Sequence, residues 1–182
     1  MFILGISGAP GSGKENFIQN LLLEETVQKN SKILSLKEYT TSSDLNYLES
    51  PLSVDWKILK QDLIKYKHTH PNHILIVEGL YTSFHEEIRS LFDLQCYIDN
   101  DSDTILINLL QDKNIGNLSE FLKNYIKIIK PSVHNYILSQ KNHVDIIVGE
   151  NVNLSIKIIQ SALKDFIQNF ITEKDQNETI LN

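Results

Sequence analysis

Seven residues constrain this chain more than any others: Gly8-Ala9-Pro10-Gly11-Ser12-Gly13-Lys14. They fit G-x-x-x-x-G-K and sit between a short apolar run, Phe2–Ser7, and a stretch of helical periodicity that starts at Glu15. Small residues let successive backbone N–H groups turn inward around an anion. The helix that follows adds the partial positive charge of its N-terminus. A lysine at the last position reaches the β- and γ-phosphates of a nucleotide. The pattern therefore predicts a strand, a phosphate-cradling loop and a helix. Gly8, Ala9, Gly11, Ser12, Gly13, Lys14 and Glu15 are the residues expected around ATP.

The rest of the chain repeats the strand–helix alternation. Helical spacing is read over Glu15–Gln28, Val54–Tyr66, Phe84–Leu91, Asp101–Gln111 and Leu154–Ile171. Strands are read at Ile33–Leu36, at His73–Val77 running into Glu78-Gly79, at Leu94–Ile98 and at Val144–Val148. Thr40–Leu52 is polar and reads as a loop. Leu118–Gln140 reads as a long helix that Pro131 kinks or divides. Such alternation predicts an α/β fold with about five parallel strands and helices on both faces. The expected domain is 1–172, with a frayed polar tail at 173–182.

Composition narrows the classes further. The chain has 182 residues and a formal net charge of −6, which argues against a nucleic-acid partner. Nearly all its positive charge is lysine, and Arg89 is the one arginine. Cys96 is the one cysteine and lies in an apolar stretch, where it reads as a small buried hydrophobe. Met1 leads into Phe-Ile-Leu-Gly-Ile with no basic leader, and no apolar run approaches the roughly 20 residues of a membrane span. A cytoplasmic protein without a membrane partner is expected.

Two acids are placed for metal chemistry. Glu78 ends an apolar strand, and in a parallel sheet that end faces the ligand crevice. Glu78 there meets a Mg²⁺ ion or its water shell, or else it caps a helix or lies in solvent. Glu15 stands where the loop motif carries Ser or Thr for Mg²⁺. A carboxylate is also a magnesium ligand. With no metal between them, a carboxylate ~4 Å from a phosphate oxygen costs about 4 kcal/mol at intermediate dielectric. Glu15 is therefore either a substitute ligand or turned away on the helix surface.

Taken together, the segments Ile3-Leu-Gly-Ile-Ser-Gly, Val77-Glu78-Gly79-Leu80, Leu91-Phe-Asp-Leu, Ile98-Asp-Asn-Asp-Ser-Asp and Lys130-Pro131 resemble the uridine/cytidine kinase family over about residues 2–165. The resemblance implies a P-loop NTPase three-layer fold with a short lid. It also implies transfer of the γ-phosphate of ATP to a hydroxyl of a nucleoside-like small molecule. Carried onto this chain, it makes Asp55 the ribose-binding aspartate, whose other reading is an acid at a helix N-terminus. It brings Asn124 near a substrate-contacting glutamine.

Elsewhere the chain departs from the pattern. Lys37 falls at or beside the aspartate that accepts the hydroxyl proton. Glu38 would serve after a one-residue shift, or it forms a solvent-facing pair with Lys37. Ile105, Asn108, Leu109 and Gln111 occupy the region that supplies phosphate-binding arginines, and the lid shrinks to about Lys113–Asn117. The base-binding hairpin is reduced to about Lys67–Asn72. Its histidines, His68, His70 and His73, read as exposed loop residues more readily than as metal ligands. Two functions stay open: an active small-molecule kinase using Lys14 and Glu38, or a degenerate relative that binds nucleotide and acts through conformation. Oligomeric state is open too.

Overall fold

In the computed structural model, residues 1–41, 44–111 and 116–180 are described, with backbone alone for 44–46 and 173–180. Five strands, β1 (Phe2–Gly8), β2 (Ser31–Ser35), β3 (Ile74–Gly79), β4 (Leu94–Ile98) and β5 (Ile146–Val148), form one parallel sheet in the order β2-β3-β1-β4-β5. The register aligns the carboxyl ends: Ser7 lies beside Gly79, Gly8 beside Ile98 and Ser35 beside Glu78. The strand order changes direction at β1, so the crevice beyond its carboxyl end is where a ligand fits.

Alternating side chains of β1 build two cores. Ile3 packs with Leu59, Leu63, Leu75 and Val77 on one face. Leu4 and Ile6 pack with Phe17, Leu21, Ile159 and Leu163 on the other. The first face is covered by α3 (Asp44–Glu49), α4 (Trp56–Thr69) and α5 (Glu86–Arg89), the second by α1 (Lys14–Leu21), α2 (Glu25–Asn30) and the last helix, Val152–Ile180. Helices on both faces make this the three-layer α/β arrangement expected of the sequence.

The differences from the sequence reading have local causes. The stretch expected as one helix at Glu15–Gln28 divides, because the Glu24 carboxylate accepts the Val27 N–H at 2.9 Å and restarts the helix. The segment read as a loop at 40–52 holds α3 and a 3₁₀ turn at Pro51–Ser53, anchored by buried Tyr47. After α6 (Ser102–Leu110) and α7 (Leu118–Asn124), the backbone stays helical through Pro131. It widens into π turns at Tyr125–Ile129 and Val133–Ile137 on either side of α8 (Lys130–Ser132). Widened turns accommodate the proline that a regular helix would reject. The closing helix, α9, has helical backbone as far as Ile180, through most of the segment expected as a polar tail from residue 173. The expected lid at Lys113–Asn117 falls mostly outside the described residues.

Cys96 is fully buried, and burial pushes its thiol up to about 12. The native protein is expected to resist a thiol-specific disulfide reagent at pH 8 and to react at once when unfolded. Prompt reaction of the native protein would show that β4 opens readily.

Candidate active site

The loop after β1 is held from outside. Gly11 and Gly13 adopt φ of +74° and +88°, conformations that favour glycine. A Cβ on Gly11 would also come within 2.8 Å of the Ile105 carbonyl oxygen and Leu109 Cγ, so α6 packs directly on the loop. Asn108 Nδ2 donates to the Gly11 carbonyl and Asn100 Nδ2 to the Ser12 carbonyl, each at 2.9 Å. With these carbonyls turned outward and braced, the amides of the first α1 turn are left to face the crevice. Gly13 is the N-cap of α1 and supplies no side-chain cap. An uncapped helix N-terminus of this kind is an anion site.

Lys14 is buried, and its Nζ donates to the Gly8 and Ala9 carbonyls at 3.1 and 3.0 Å. Burial holds its ammonium below the ordinary lysine range, while Glu15 and Glu78 push the other way. Both carboxylates line the same cleft as Lys14, Gly11 and Gly13, a space of about 620 Å³. Ser12 Oγ is buried beside the loop with no hydrogen-bond partner among the described residues. The loop thus offers what a polyphosphate needs: first-turn amides and a lysine. Glu15 and Glu78 add hard carboxylate oxygens to the same cleft, the kind of donor that a magnesium ion takes.

The expected site residues divide into two groups. Gly8, Ala9, Gly11, Ser12, Gly13, Lys14, Glu15 and Glu78 come together. Glu38 and Asp55 do not line that cleft; with Tyr39 and Asp62 they line a neighbouring hollow of about 380 Å³. Asp55 caps α4, accepting the Ile58 N–H at 3.0 Å. Asn124 ends α7 and lines neither space. Lys37 does line the cleft. Among the described residues no three His, Cys, Asp or Glu side chains gather to hold a metal, and His70 instead faces the His73 ring at 5.4 Å.

Several contributors were missed. Asn100 was read only as part of a motif and Asn108 only as the occupant of an arginine position, yet both brace the loop. Tyr47, inside the polar 40–52 stretch, proves to be buried against the cleft. An isolated aromatic in such a stretch was the available signal. The one arginine, Arg89, donates from Nη1 to the Ser83 and Phe84 carbonyls at 3.2 and 2.9 Å, so it serves the loop before α5.

A parallel sheet with a braced phosphate loop between β1 and α1, and an acid at the end of β3, defines a P-loop kinase fold. Residues 23–156 match the model of the phosphoribulokinase / uridine kinase family, and the chain belongs to that family. It is 29% identical over 199 aligned residues to a uridine kinase of Schizosaccharomyces pombe, covering 88% of this chain and 43% of that enzyme. It is 24% identical over 202 residues to a uridine kinase of Limosilactobacillus reuteri, covering 91% of each. Among solved structures, a provisional fructose transport system kinase from Silicibacter sp. TM1040 superposes with a TM-score of 0.62 at 14% identity, over 80% of this chain and 88% of that one. Family and fold imply a nucleotide at this loop. Among the described residues no helix is long and apolar enough to cross a membrane.

Proposed function

We propose that this protein is an ATP-dependent phosphotransferase that acts on a hydroxyl of a nucleoside-like small molecule, by family default the 5′-hydroxyl of uridine or cytidine. The observation that carries the reading is the convergence of Lys14, Glu15 and Glu78 on one cleft at an uncapped helix N-terminus. The loop amides and Lys14 bind the β- and γ-phosphates. Glu78 and Glu15 would hold Mg²⁺, which would supply neutralisation of the charge developing on the phosphates. The acceptor oxygen forms its bond to the γ-phosphorus as the bond to the ADP oxygen breaks, and the hydroxyl proton leaves. The transition state is loose, so the proton leaves late and positioning dominates the rate. In this reading water takes that proton, since Glu38 lines the neighbouring hollow.

A second reading, a nucleotide-binding module with little turnover, is favoured by Lys37 in the cleft and by Arg89 being engaged elsewhere. The deciding experiment is ATP-dependent phosphorylation of a nucleoside panel, with mass spectrometry of the acceptor and Lys14→Ala as control. A phosphorylated nucleoside that disappears in the variant is the expected result. No product from folded protein that binds ATP would favour the module.

A further inference from the structure

The topology gives the cleft two flanks. β1 carries the phosphate loop at the centre. On the β4 side, α6 contributes Asn108 and Leu109, and Gln111 caps its end. On the opposite side, the ends of β2 and β3 contribute Ser35, Glu78, Gly79 and Leu80, with Tyr47 and Leu48 of α3 against them. If the phosphotransferase reading holds, the nucleotide phosphates lie at the loop and the acceptor lies on the β2–β3 side. That side has lost Asp55 and Glu38 to the neighbouring hollow, so something else must recognise the acceptor.

Tyr47 is placed to do so. The residue is 6% exposed, and its ring packs edge-on to Tyr81, with centroids 5.7 Å apart and planes at 86°. Its phenol oxygen accepts the Leu80 N–H at 3.0 Å. The next residue is fixed as well, because the Tyr81 hydroxyl lies 3.2 Å from the Leu48 carbonyl and donates to it, while pairing with Ser132 Oγ at 2.7 Å. Two bonds thus pin α3 against the end of β3. The phenol is oriented by a donor, leaving its own proton to give, and among the described residues no group takes that proton. A phenol keeps its proton at neutral pH, and burial of this one favours the neutral form further.

The geometry points to Tyr47 as the specificity-determining residue of the acceptor site, donating its O–H to a hydroxyl or carbonyl oxygen of a nucleoside-like acceptor while its ring forms the wall. The inference rests on the phosphotransferase reading and gives it a substrate contact that lies outside the residues the family resemblance supplied. A donor of this kind discriminates strongly. An acceptor lacking the matching oxygen leaves a buried hydroxyl unpaired.

The test uses the full chain as wild type, Tyr47→Phe and Lys14→Ala. Thermal shifts and calorimetry are measured with Mg-ADP alone and then with uridine added to the Mg-ADP-loaded protein. Where turnover occurs, KM for uridine and for ATP are separated. Tyr47→Phe is expected to weaken uridine about tenfold, the usual effect of one hydrogen bond, while the Mg-ADP response stays within about twofold. That unchanged response also certifies that the variant is folded. Lys14→Ala is expected to lose the Mg-ADP response instead. Equal uridine affinity in wild type and Tyr47→Phe would overturn the Tyr47 assignment and leave the phosphotransferase reading standing. So would an equal loss of both ligands in Tyr47→Phe. Wild-type protein that binds Mg-ADP but no member of a nucleoside panel would overturn the phosphotransferase reading itself, and this contact with it.

Discussion

Lys14→Met is expected to lower phosphoryl transfer by at least about a thousandfold and to leave the ligand-free protein more stable than the wild type. The loss of activity follows from the position of Lys14, the one lysine seated within the loop among amides that would face the β- and γ-phosphates. The gain in stability follows from its burial. Lys14 is only 4% exposed, so its ammonium has given up most of its hydration, and the Gly8 and Ala9 carbonyls return only part of it. Its pKa in the folded protein is below the ordinary 10.5. The unfolded chain therefore binds the proton more tightly, and the charged lysine destabilises the fold at neutral pH. As pH rises from the folded value towards 10.5, the unfolded state holds more protons than the native one, so native stability recovers through that window. Methionine has similar length and no charge, and removes the cost. A gain of about 1 kcal/mol corresponds to roughly 2–4 °C in Tm for a chain of this size. Calorimetry without ligand and mass spectrometry of the product check both halves. A variant several degrees less stable would show that the lysine's two carbonyl bonds hold the loop together. Undiminished product would remove the loop from the chemistry.

The architecture was legible in the sequence because buried strands announce themselves as short apolar runs. Leu94–Ile98 was read to the residue, and the helix read from Asp101 starts there, with the Asp101 carboxylate accepting the Asp103 and Thr104 N–H groups. The phosphate loop was legible because its chemistry demands small residues at fixed spacing. The β2–β3 flank of the cleft was not, and the turn after β2 explains why. Leu36–Tyr39 is a 3₁₀ turn, which advances about 120° per residue. Buried Leu36 fixes its rotation. Lys37 then looks into the cleft while Glu38 and Tyr39 look into the neighbouring hollow. A one-residue shift in the alignment of an acid, harmless on paper, moves it between two cavities. Periodicity cannot supply that rotation, since it comes from how Leu36 packs under Gly79 and not from any local repeat. Asp55 offered two readings that composition could not separate. Its bond to the Ile58 N–H accounts for the carboxylate as a helix cap.

Gly79→Ala should separate the two flanks of the cleft. A Cβ at Gly79 would lie 2.5 Å from Leu36 Cβ, 3.1 Å from Leu36 Cδ2 and 2.9 Å from the Tyr47 hydroxyl oxygen. Gly79 is not among the positive-φ glycines, so the whole effect is steric. Leu36 cannot swing away, because the closest atom is its own Cβ and the residue is fully buried. Tyr47 can move only by releasing the Leu80 N–H. Overpacking of this kind costs about 3 kcal/mol, or roughly 6–12 °C in Tm. The displacement falls on the turn that carries Lys37 and on the phenol of Tyr47. Gly11 and Gly13 follow β1 itself, and the asparagine braces stand on its far side. Uridine affinity is therefore expected to fall well over tenfold in Gly79→Ala, with Mg-ADP affinity changed by less than about threefold, as read by separate titrations of one preparation. If the Tm falls by less than about 2 °C, α3 gives way easily and the latch between Tyr47 and Leu80 is soft. A soft latch would not hold a phenol in one orientation, and the selectivity assigned to Tyr47 depends on its being held.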